Sequence, residues 1–230
     1  MESTTNSGFY EAFVDAHCSG GALKFLARRL RPERALGRPE TGEEAAMQVE
    51  ELAIPAVKIL TPKKLGDARG FFSEVYSKPA WDTAGLHFSF VQDNHSFSAA
   101  VGTLRGLHFQ ILPFAQDKLV RVGRGRVFDV AVDVRRSSPS FGQYVGVELS
   151  AENWRQLLIP IGFAHGFVTL EPDTEVLYKT TAPYSPAHDR GVAWDDHVID
   201  VKWPLPAGGP LLSEKDRLWP SLADARELFE

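Results

Sequence analysis

Short runs of alternating hydrophobic and polar residues cover most of the chain from residue 49 onward, and such runs are typical of β-strands. The clearest run is 126–134, in which the even positions from Phe128 to Val134 are all apolar while the odd positions include Asp129 and Asp133. This alternation gives the strand one dry face and one face that tolerates polar groups. Further strands are predicted at 56–60, 72–76, 86–92, 103–110, 119–123, 144–149, 156–161, 166–170 and 175–181. Many short strands separated by turn residues predict an all-β sandwich or barrel rather than a parallel α/β sheet.

Helix is predicted only in short pieces, at 79–84, at 151–154 with Ser150 as the N-cap, and at 221–228. Residues 1–46 differ in composition and pattern from the rest of the chain. They contain a run rich in proline, glycine and charged residues and one candidate amphipathic helix over 22–30. We expect 1–46 to be an N-terminal extension that is mobile or foreign to the native protein, with Met47 as the native start. Residues 47–230 are then expected to form one domain.

The composition narrows the class of protein without indicating its chemistry. Hydrophobic residues make up 43% of the chain and charged residues 24%, which is ordinary for a globular protein. A net charge of −5 argues against a nucleic-acid binder, and Cys18, the single cysteine, cannot form an internal disulfide. The longest apolar stretch is too short to cross a membrane. We therefore expect a cytoplasmic protein with neither a nucleic-acid nor a membrane partner.

Two histidines stand in the most informative motifs. His165 ends the sequence PIGFAH (160–165), which resembles the P-x-G-x-x-H half of the cupin signature, and His108 lies in GTLRGLHFQ (102–110). A metal-binding cupin would have a second histidine where this chain has Gln110, and Thr169 stands where another ligand often lies. Two histidines without a carboxylate make a poor site for a divalent transition metal. We therefore predict no metal and no other cofactor.

Without a metal, the residues of this barrel favour proton transfer. His108 is suited to act as a base near neutral pH, Tyr178 is a weak acid, and Lys118 can neutralise an enolate oxygen. Each residue alone also has a structural interpretation: a satisfied core histidine, a cross-strand packing tyrosine and a solvated lysine. Their occurrence together favours a catalytic group.

Several motifs follow one another along the chain: GDARGFFSE (66–74), QDNHS (92–96), LRGLHFQ (104–110), QDKLV (116–120), VFDVAVDVR (127–135), SPSFG (138–142), residues 159–167 and LYK (177–179). In their order and spacing, residues 53–219 resemble the dTDP-4-dehydrorhamnose 3,5-epimerase family. The resemblance implies a cupin-like double-stranded β-helix, that is, a jelly-roll barrel with a few short helices. It also implies an isomerase that inverts C3 and C5 of a 4-keto-6-deoxyhexose linked to dTDP.

The resemblance implies a role for each residue of the catalytic group. His108 would be the base, oriented by Asp216, and Tyr178 would be the acid on the opposite face of the sugar. Lys118 would stabilise the enolate. Two groups on opposite faces are needed because a single base in a one-sided pocket would mostly restore the original configuration.

The resemblance also implies the residues that bind the substrate. Arg69 and Arg105 would contact the diphosphate, and Tyr184 would stack on thymine. The remaining contacts to nucleotide and sugar would come from Glu74, Gln92, Asn94, His165, Asp189 and Lys215. Asp189 stands where the family commonly has glutamate and could instead be a turn residue, while Arg69 and Glu74 could form a surface ion pair. The family exchanges the strand segment of Arg69 and Glu74 between subunits, so a homodimer is expected.

One local conflict arises on the strand of His108. Strict alternation puts Arg105 and His108 on opposite faces, although both should line the pocket. Gly106 lies between them, and glycine within a strand often marks a bulge, so an irregularity is predicted there.

Three alternatives to the leading function remain open on the sequence. They are an epimerase that inverts only C3 or only C5, a metal-dependent cupin, and a sugar-binding cupin without catalysis.

Overall fold

The folded region described by the computed structural model is residues 47–230. The expected extension 1–46, with its candidate helix over 22–30 and Cys18, lies outside the described residues. Between residues 47 and 230, no helix is both long and apolar enough to cross a membrane.

Strands dominate residues 47–230, as the alternating pattern predicts. The one α-helix of this region, α1, is Lys78–Thr83, and two 3₁₀ helices occupy Pro186–His188 and Lys215–Arg217. The strands are β1 (Met47–Glu51), β2 (Lys58–Pro62), β3 (Leu65–Asp67), β4 (Gly70–Phe72), β5 (Gln92–Ser98), β6 (Leu104–Gln110), β7 (Lys118–Arg124), β8 (Arg126–Asp133), β9 (Tyr144–Ser150), β10 (Gln156–Ile159), β11 (Phe163–Thr169), β12 (Thr174–Thr180) and β13 (Asp189–Gly191).

Two antiparallel sheets face each other across a shared core. One has the order β1-β2-β10-β7-β12-β5, the other has the order β13-β6-β11-β8-β9, and β3 and β4 form a separate hairpin. Buried side chains from both sheets, such as Val120, Leu157, Val145 and Phe163, pack together between them. This arrangement is the all-β, cupin-like barrel expected from the sequence.

Both faces of β8 are buried, although only one face is apolar. The even residues, such as Val130 and Val132, pack outward against the C-terminal segment through Leu222 and Ala225. The odd residues point into the barrel, where Val127 and Ala131 join the core. The polar face that the sequence indicates on this strand is therefore the barrel interior, not a surface in contact with solvent.

Two predicted strands, at 72–76 and 86–92, are wrong except at one end of each. Leu86, Phe88 and Phe90 alternate as a strand would, yet they pack with Tyr76 around Trp81 of α1 on the outside of the six-stranded sheet. Their periodicity is satisfied by an aromatic cluster rather than by strand pairing. Apart from the single residues 72 and 92, the sequence missed β4 and β5, and it missed the short strands β1, β3 and β13 entirely.

Of the three predicted helices, only 79–84 corresponds to a helix, α1. At 151–154 the chain makes a turn, in which Ser150 Oγ accepts from the Asn153 N–H at 2.9 Å and Trp154 adopts a φ of 60° that ends it. The predicted cap therefore exists without its helix. Residues 221–228 form a turn after Ser221, and the carbonyl of Ala225 accepts from the Arg136 guanidinium instead of continuing a helix.

Candidate active site

Four of the predicted site residues lie on the interior face of the six-stranded sheet. Tyr178 on β12 is opposite Val120 on β7 and Asn94 on β5. Directly opposed residues in antiparallel strands project to the same face, and Val120 belongs to the interior core. The period of two puts Lys118 and Gln92, each two residues from these positions, on that face as well.

His108 and His165 lie on the interior face of the opposing sheet. His108 on β6 is opposite His165 on β11 and Gly191 on β13. Phe163 and Phe167, two residues on either side of His165, belong to the interior core. The two histidines are therefore cross-strand neighbours that both point into the barrel.

Arg105 reaches the same wall because β6 is irregular at Gly106. The register between β6 and β11 shifts there, so that Arg105 is opposite Phe167 and shares the face of His108. Gly106 has a φ of +139°, and a Cβ at this position would lie 2.5 Å from the Gly166 Cα. The irregularity predicted from the glycine is confirmed, and it resolves the conflict between Arg105 and His108.

The imidazole of His108 is held by a carboxylate from the C-terminal segment. His108 Nε2 lies 2.5 Å from Asp216 Oδ1, and Ser213 Oγ donates to Asp216 Oδ2 at 2.7 Å. Burial would raise the pKa of Asp216, but the hydrogen bonds from His108, Ser213 and the Gly106 N–H hold it below its usual value. Because an ionised carboxylate only accepts, neutral His108 donates through Nε2, and Nδ1 carries the lone pair.

Lys118 is a buried amine beside this pair. Its Nζ donates to the carbonyl oxygen of His108 at 3.2 Å, and the residue is 8% exposed. Burial lowers the pKa of Lys118 to about 8, against the opposing effect of the negative charges of Asp189 and Asp129. The amine is thus mostly protonated at neutral pH. The resulting ammonium is poorly hydrated, which strengthens its electric field on a nearby oxygen anion.

Tyr178 faces the histidines from the opposite sheet with a protonated phenol. Burial raises the pKa of Tyr178, and the positive charge of Arg105 acts in the opposite direction. Arg105 itself bridges to the edge strand, where its Nη2 donates to the Phe97 carbonyl at 3.2 Å and to Ser98 Oγ at 3.3 Å. A phenol that keeps its proton at neutral pH can donate it to a carbanion.

The rim of the barrel carries a linked polar group. Asp189 Oδ2 accepts from Tyr184 Oη at 3.0 Å and pairs with Lys215 Nζ, which precedes Asp216 in the chain. The Tyr184 N–H donates to Gln92 Oε1 at 2.9 Å, and Gln92 Nε2 donates to Asn94 Oδ1 at 2.8 Å. These bonds join the loop of Tyr184, β13, β5 and the C-terminal segment around the mouth.

Asp129 is a site residue that sequence reasoning missed. It is fully buried, and its Oδ1 lies 2.9 Å from His165 Nε2, while its Oδ2 has no hydrogen-bond partner in the described region. The alternation of 126–134 placed it on the polar face of the strand, but only the structure shows that this face is the barrel interior. The pairing with His165, 36 residues later, depends on the adjacency of β8 and β11.

Gln110 is bonded to backbone where a metal-binding cupin would have a histidine. Its amide Nε2 donates to the carbonyls of Phe114 and Pro183 at 2.7 and 3.1 Å, and its Oε1 accepts from the Ser185 N–H at 2.7 Å. This side chain ties two loop segments, one at Phe114 and one at Pro183–Ser185, to β6. Over residues 47–230, no group of three or more histidine, cysteine or acidic side chains is arranged to hold a metal ion.

Comparison with known proteins decides the family. The family model for dTDP-4-dehydrorhamnose 3,5-epimerase matches residues 51–224. The chain belongs to this family. A dTDP-4-dehydrorhamnose 3,5-epimerase from Pseudomonas aeruginosa is 56% identical over 180 residues, which are 78% of this chain and 98% of that protein. One from Sinorhizobium fredii is 52% identical over 184 residues, covering 80% and 94%.

Solved structures of this epimerase family share the fold. A Bacillus anthracis dTDP-4-dehydrorhamnose 3,5-epimerase with TDP and pyrophosphate bound superposes with a TM-score of 0.74 at 52% identity, over 76% of this chain and 99% of that one. A Legionella pneumophila epimerase in complex with dTDP-4-keto-L-rhamnose also has a TM-score of 0.74, at 44% identity, over 78% and 95%. A 3'-monoepimerase from Streptomyces bikiniensis has a TM-score of 0.71 at 32% identity, over 75% and 87%.

Two expected binding residues of this epimerase-family chain lie apart from the cluster around His108. Arg69 sits on the hairpin of β3 and β4 with 90% of its side chain exposed, and it pairs with Asp67. Glu74 follows the hairpin and is exposed. Within residues 47–230, no hydrogen bond or ion pair connects either residue to the His108 cluster. Phe71 and Phe72 of the same hairpin are also exposed, at 54% and 64%.

Proposed function

We propose that this protein epimerises dTDP-4-dehydro-6-deoxy-D-glucose at C3 and C5 to give dTDP-4-dehydro-L-rhamnose. The observation that carries the proposal is the opposition of two walls: His108, held by Asp216, on one sheet, and Tyr178 with Lys118 on the other. Proton exchange on both faces of a sugar ring needs this opposition. Membership of the epimerase family and the family structures with dTDP ligands support the same reaction.

The reaction proceeds through an enolate. The 4-keto group acidifies the C–H bonds at C3 and C5, and His108 Nδ1 takes one of these protons while Asp216 stabilises the imidazolium. The electron pair moves onto the C4 oxygen, where the Lys118 ammonium neutralises it. Tyr178 then returns a proton to carbon from the opposite face, and the enolate collapses to the ketone with inverted configuration.

The substrate is held from the mouth of the barrel. Arg105, beside Tyr178, and Arg69 bind the diphosphate, because guanidinium groups pair with phosphate oxygens in a forked geometry. Tyr184, whose ring is more than half exposed at the rim, stacks on thymine. The remaining contacts to nucleotide and sugar come from Glu74, Gln92, Asn94, His165, Asp189 and Lys215.

A homodimer with exchanged hairpins would complete this site. Arg69 and Glu74 stand apart from their own subunit's cluster, and the hairpin that carries Arg69 exposes two phenylalanine side chains. A partner's hairpin would bring both polar residues to the mouth and bury the apolar ones.

Complementation between subunits tests whether the β3–β4 hairpins are exchanged in a dimer. In a mixed dimer of Arg69→Ala and His108→Ala subunits, hairpin exchange leaves one site with both residues intact, so activity rises above that of either parent. Without exchange, the only His108-containing site lacks Arg69, and mixing gives no gain. The control is a mixture of Arg69→Ala and Asp67→Ala subunits, in which both changes fall on the same hairpin and no site is restored by exchange.

The reaction itself is tested by incubating the full chain with dTDP-4-dehydro-6-deoxy-D-glucose in deuterated water. Deuterium at both C3 and C5 with inversion supports the proposal. Deuterium at one position shows a mono-epimerase, and no deuterium at either position refutes epimerisation. Metal analysis of the same active sample tests the metal-dependent alternative, since stoichiometric metal required for turnover would contradict the mechanism.

Two other expectations from the sequence stay predictions. Residues 47–230 are expected to carry all the activity, so loss of activity on removal of 1–46 would contradict the proposed domain division. A cytoplasmic location is checked by cell fractionation.

A further inference from the structure

Trp219 is a large side chain at the site to which neither the proposed reaction nor the family resemblance gives a part. It lies three residues after Asp216 in the C-terminal segment. Its ring centroid is 5.9 Å from that of His108, with an interplanar angle of 66°, so the two rings meet edge to face. This arrangement is a favourable one for aromatic pairs.

Gly191 shows how tightly the indole is seated. A Cβ at Gly191 would lie 2.5 Å from Trp219 Cδ2 and Cε2, and the three atoms nearest to it all belong to Trp219. The φ of Gly191 lies outside the left-handed region, so its backbone does not require glycine. The available space does require glycine, because the indole occupies the volume that a side chain at position 191 would fill. Gly191 is also the cross-strand neighbour of His108.

The segment that carries Trp219 is anchored on both sides of the indole. The Ala193 N–H donates to the Pro220 carbonyl at 2.8 Å, which fixes the residue after Trp219 to the end of β13. Asp216, before it, is bonded to His108, and Lys215 Nζ lies 5.4 Å from the centroid of the indole. Trp219 Nε1 is buried without a hydrogen-bond partner in the described region, so packing rather than hydrogen bonding accounts for its place.

The hydrogen bond to Asp216 fixes one atom of the His108 ring but leaves its plane to be set by packing. A wall against the ring removes the rotations about the side-chain bonds that would carry Nδ1 away from the sugar. We propose that Trp219 is a positioning residue for His108: the indole, seated on Gly191, fixes the plane of the imidazole while Asp216 fixes its tautomer. This inference rests on the proposed function, in which His108 is the base.

The first test separates turnover from binding. Trp219→Ala is expected to lower kcat by ~10- to 100-fold, as small misplacements of a reacting group do, with KM within about threefold of wild type. Trp219→Phe keeps an aromatic wall and is expected to restore kcat to within about threefold. The matched control is Leu218→Ala, since Leu218 is the adjacent residue, is 81% exposed and has no aromatic contact with His108. A Trp219→Ala enzyme with the kcat of Leu218→Ala would overturn the proposal.

The second test moves the indole without replacing it. Gly191→Ala is expected to displace Trp219 and to lower kcat as Trp219→Ala does. In the double variant Gly191→Ala/Trp219→Ala, the methyl group added at position 191 occupies space that the indole has vacated. Adding Gly191→Ala to Trp219→Ala is therefore expected to lower kcat little further. Losses that multiply in the double variant would show that the two residues act independently and would contradict the proposal. Circular dichroism on each variant confirms folding, and Trp219→Leu replaces Trp219→Ala if the latter fails to fold.

The third test does not depend on turnover. In protein labelled with ¹⁵N-histidine and bound to dTDP, the proton between His108 Nε2 and Asp216 gives a low-field NMR signal, identified by its absence in His108→Ala. In Trp219→Ala this signal is expected to shift or to exchange with water, and in Trp219→Phe it is expected to remain. An unchanged signal in Trp219→Ala would overturn the positioning role. If the wild type epimerises no dTDP-4-keto sugar, the proposed function fails while this measurement still decides the role of Trp219.

Discussion

The barrel contains two histidine–carboxylate pairs side by side, and they differ in exposure more than in chemistry. His108 and Asp216 lie at the mouth, where 30% of the histidine side chain is exposed, whereas His165 and Asp129 lie deeper, at 9% and 0%. Asp216 has donors on both oxygens, while Asp129 has one oxygen without a partner in the described region. The same pair of groups can therefore transfer a proton in one place and, in the other, mainly stabilise the interior wall from which His165 contacts the sugar.

The largest expected difference between the pairs is in the histidines. His108→Ala is expected to abolish proton exchange, a loss of ~10³-fold or more, with the fold intact because the side chain is partly exposed. His165→Ala is expected to lower stability by about 3–5 kcal/mol, since it leaves a buried Asp129 unpaired. Proton-exchange rates and thermal melts on both variants check this. The control is His95→Ala, because the His95 side chain on β5 is 56% exposed and pairs with Glu175. Equal losses of activity and stability in both would erase the distinction.

The carboxylates should differ in the same sense. Asp216→Asn is expected to lower kcat by ~10²- to 10³-fold, because an amide does not enforce the tautomer of His108 or stabilise its imidazolium. Asp129→Asn keeps an acceptor for His165 and is expected to lower kcat far less. Steady-state kinetics on the two variants measure the difference, and a larger loss for Asp129→Asn would reverse the assignment of roles.

Lys118 interacts with a member of each pair, through its hydrogen bond to the His108 carbonyl and through the charge of Asp129, and its substitution should separate activity from stability. Lys118→Met is expected to lower kcat by ~10²- to 10³-fold through loss of the enolate contact. Burial lowers the pKa of Lys118 from 10.5 in the unfolded chain to about 8 in the folded protein, so this lysine destabilises the fold at neutral pH. That penalty fades as the pH rises from about 8 to 10.5.

Lys118→Met is therefore expected to melt at a higher temperature than wild type at pH 7, and the gain should shrink at pH 10. Thermal melts at the two pH values measure this. A lower melting temperature at pH 7 would contradict the account of a buried, costly ammonium.

The smallest expected effect is on the pH profile. Wild-type turnover is expected to fall as the pH rises through about 8, as Lys118 loses its proton. Asp129 is one of the charges that raise the pKa of Lys118, so Asp129→Asn is expected to move this alkaline limb to lower pH. A rate profile across pH 6–10 on both proteins measures the shift. An alkaline limb that stays in place, or that moves to higher pH, would contradict the effect of Asp129 on Lys118.

The sequence predicts residues that one strand or one motif brings together, and it fails where distant segments meet. Alternation on 126–134 and the glycine at 106 were sufficient to predict a strand face that tolerates polar groups and an irregular strand. That the polar face lines the barrel interior follows only from the packing of the two sheets. The bond from Asp129 to His165 and the seat of Trp219 on Gly191 depend on strand order and on the path of the C-terminal segment, which no local pattern encodes. At residues 86–92 a local pattern misled the prediction, because side chains that pack in an aromatic cluster alternate with the same period of two as a strand.

The central claim is that His108 and Tyr178 act from opposite walls of the barrel on opposite faces of the sugar. The most direct measurement follows deuterium and configuration at C3 and C5 in His108→Ala and Tyr178→Phe enzymes incubated with the dTDP-4-keto sugar in deuterated water. The account predicts no exchange with His108→Ala, and exchange with retained configuration with Tyr178→Phe, because the proton is removed but is no longer returned from the far side. Inversion at the wild-type rate by Tyr178→Phe, or exchange by His108→Ala, would contradict it.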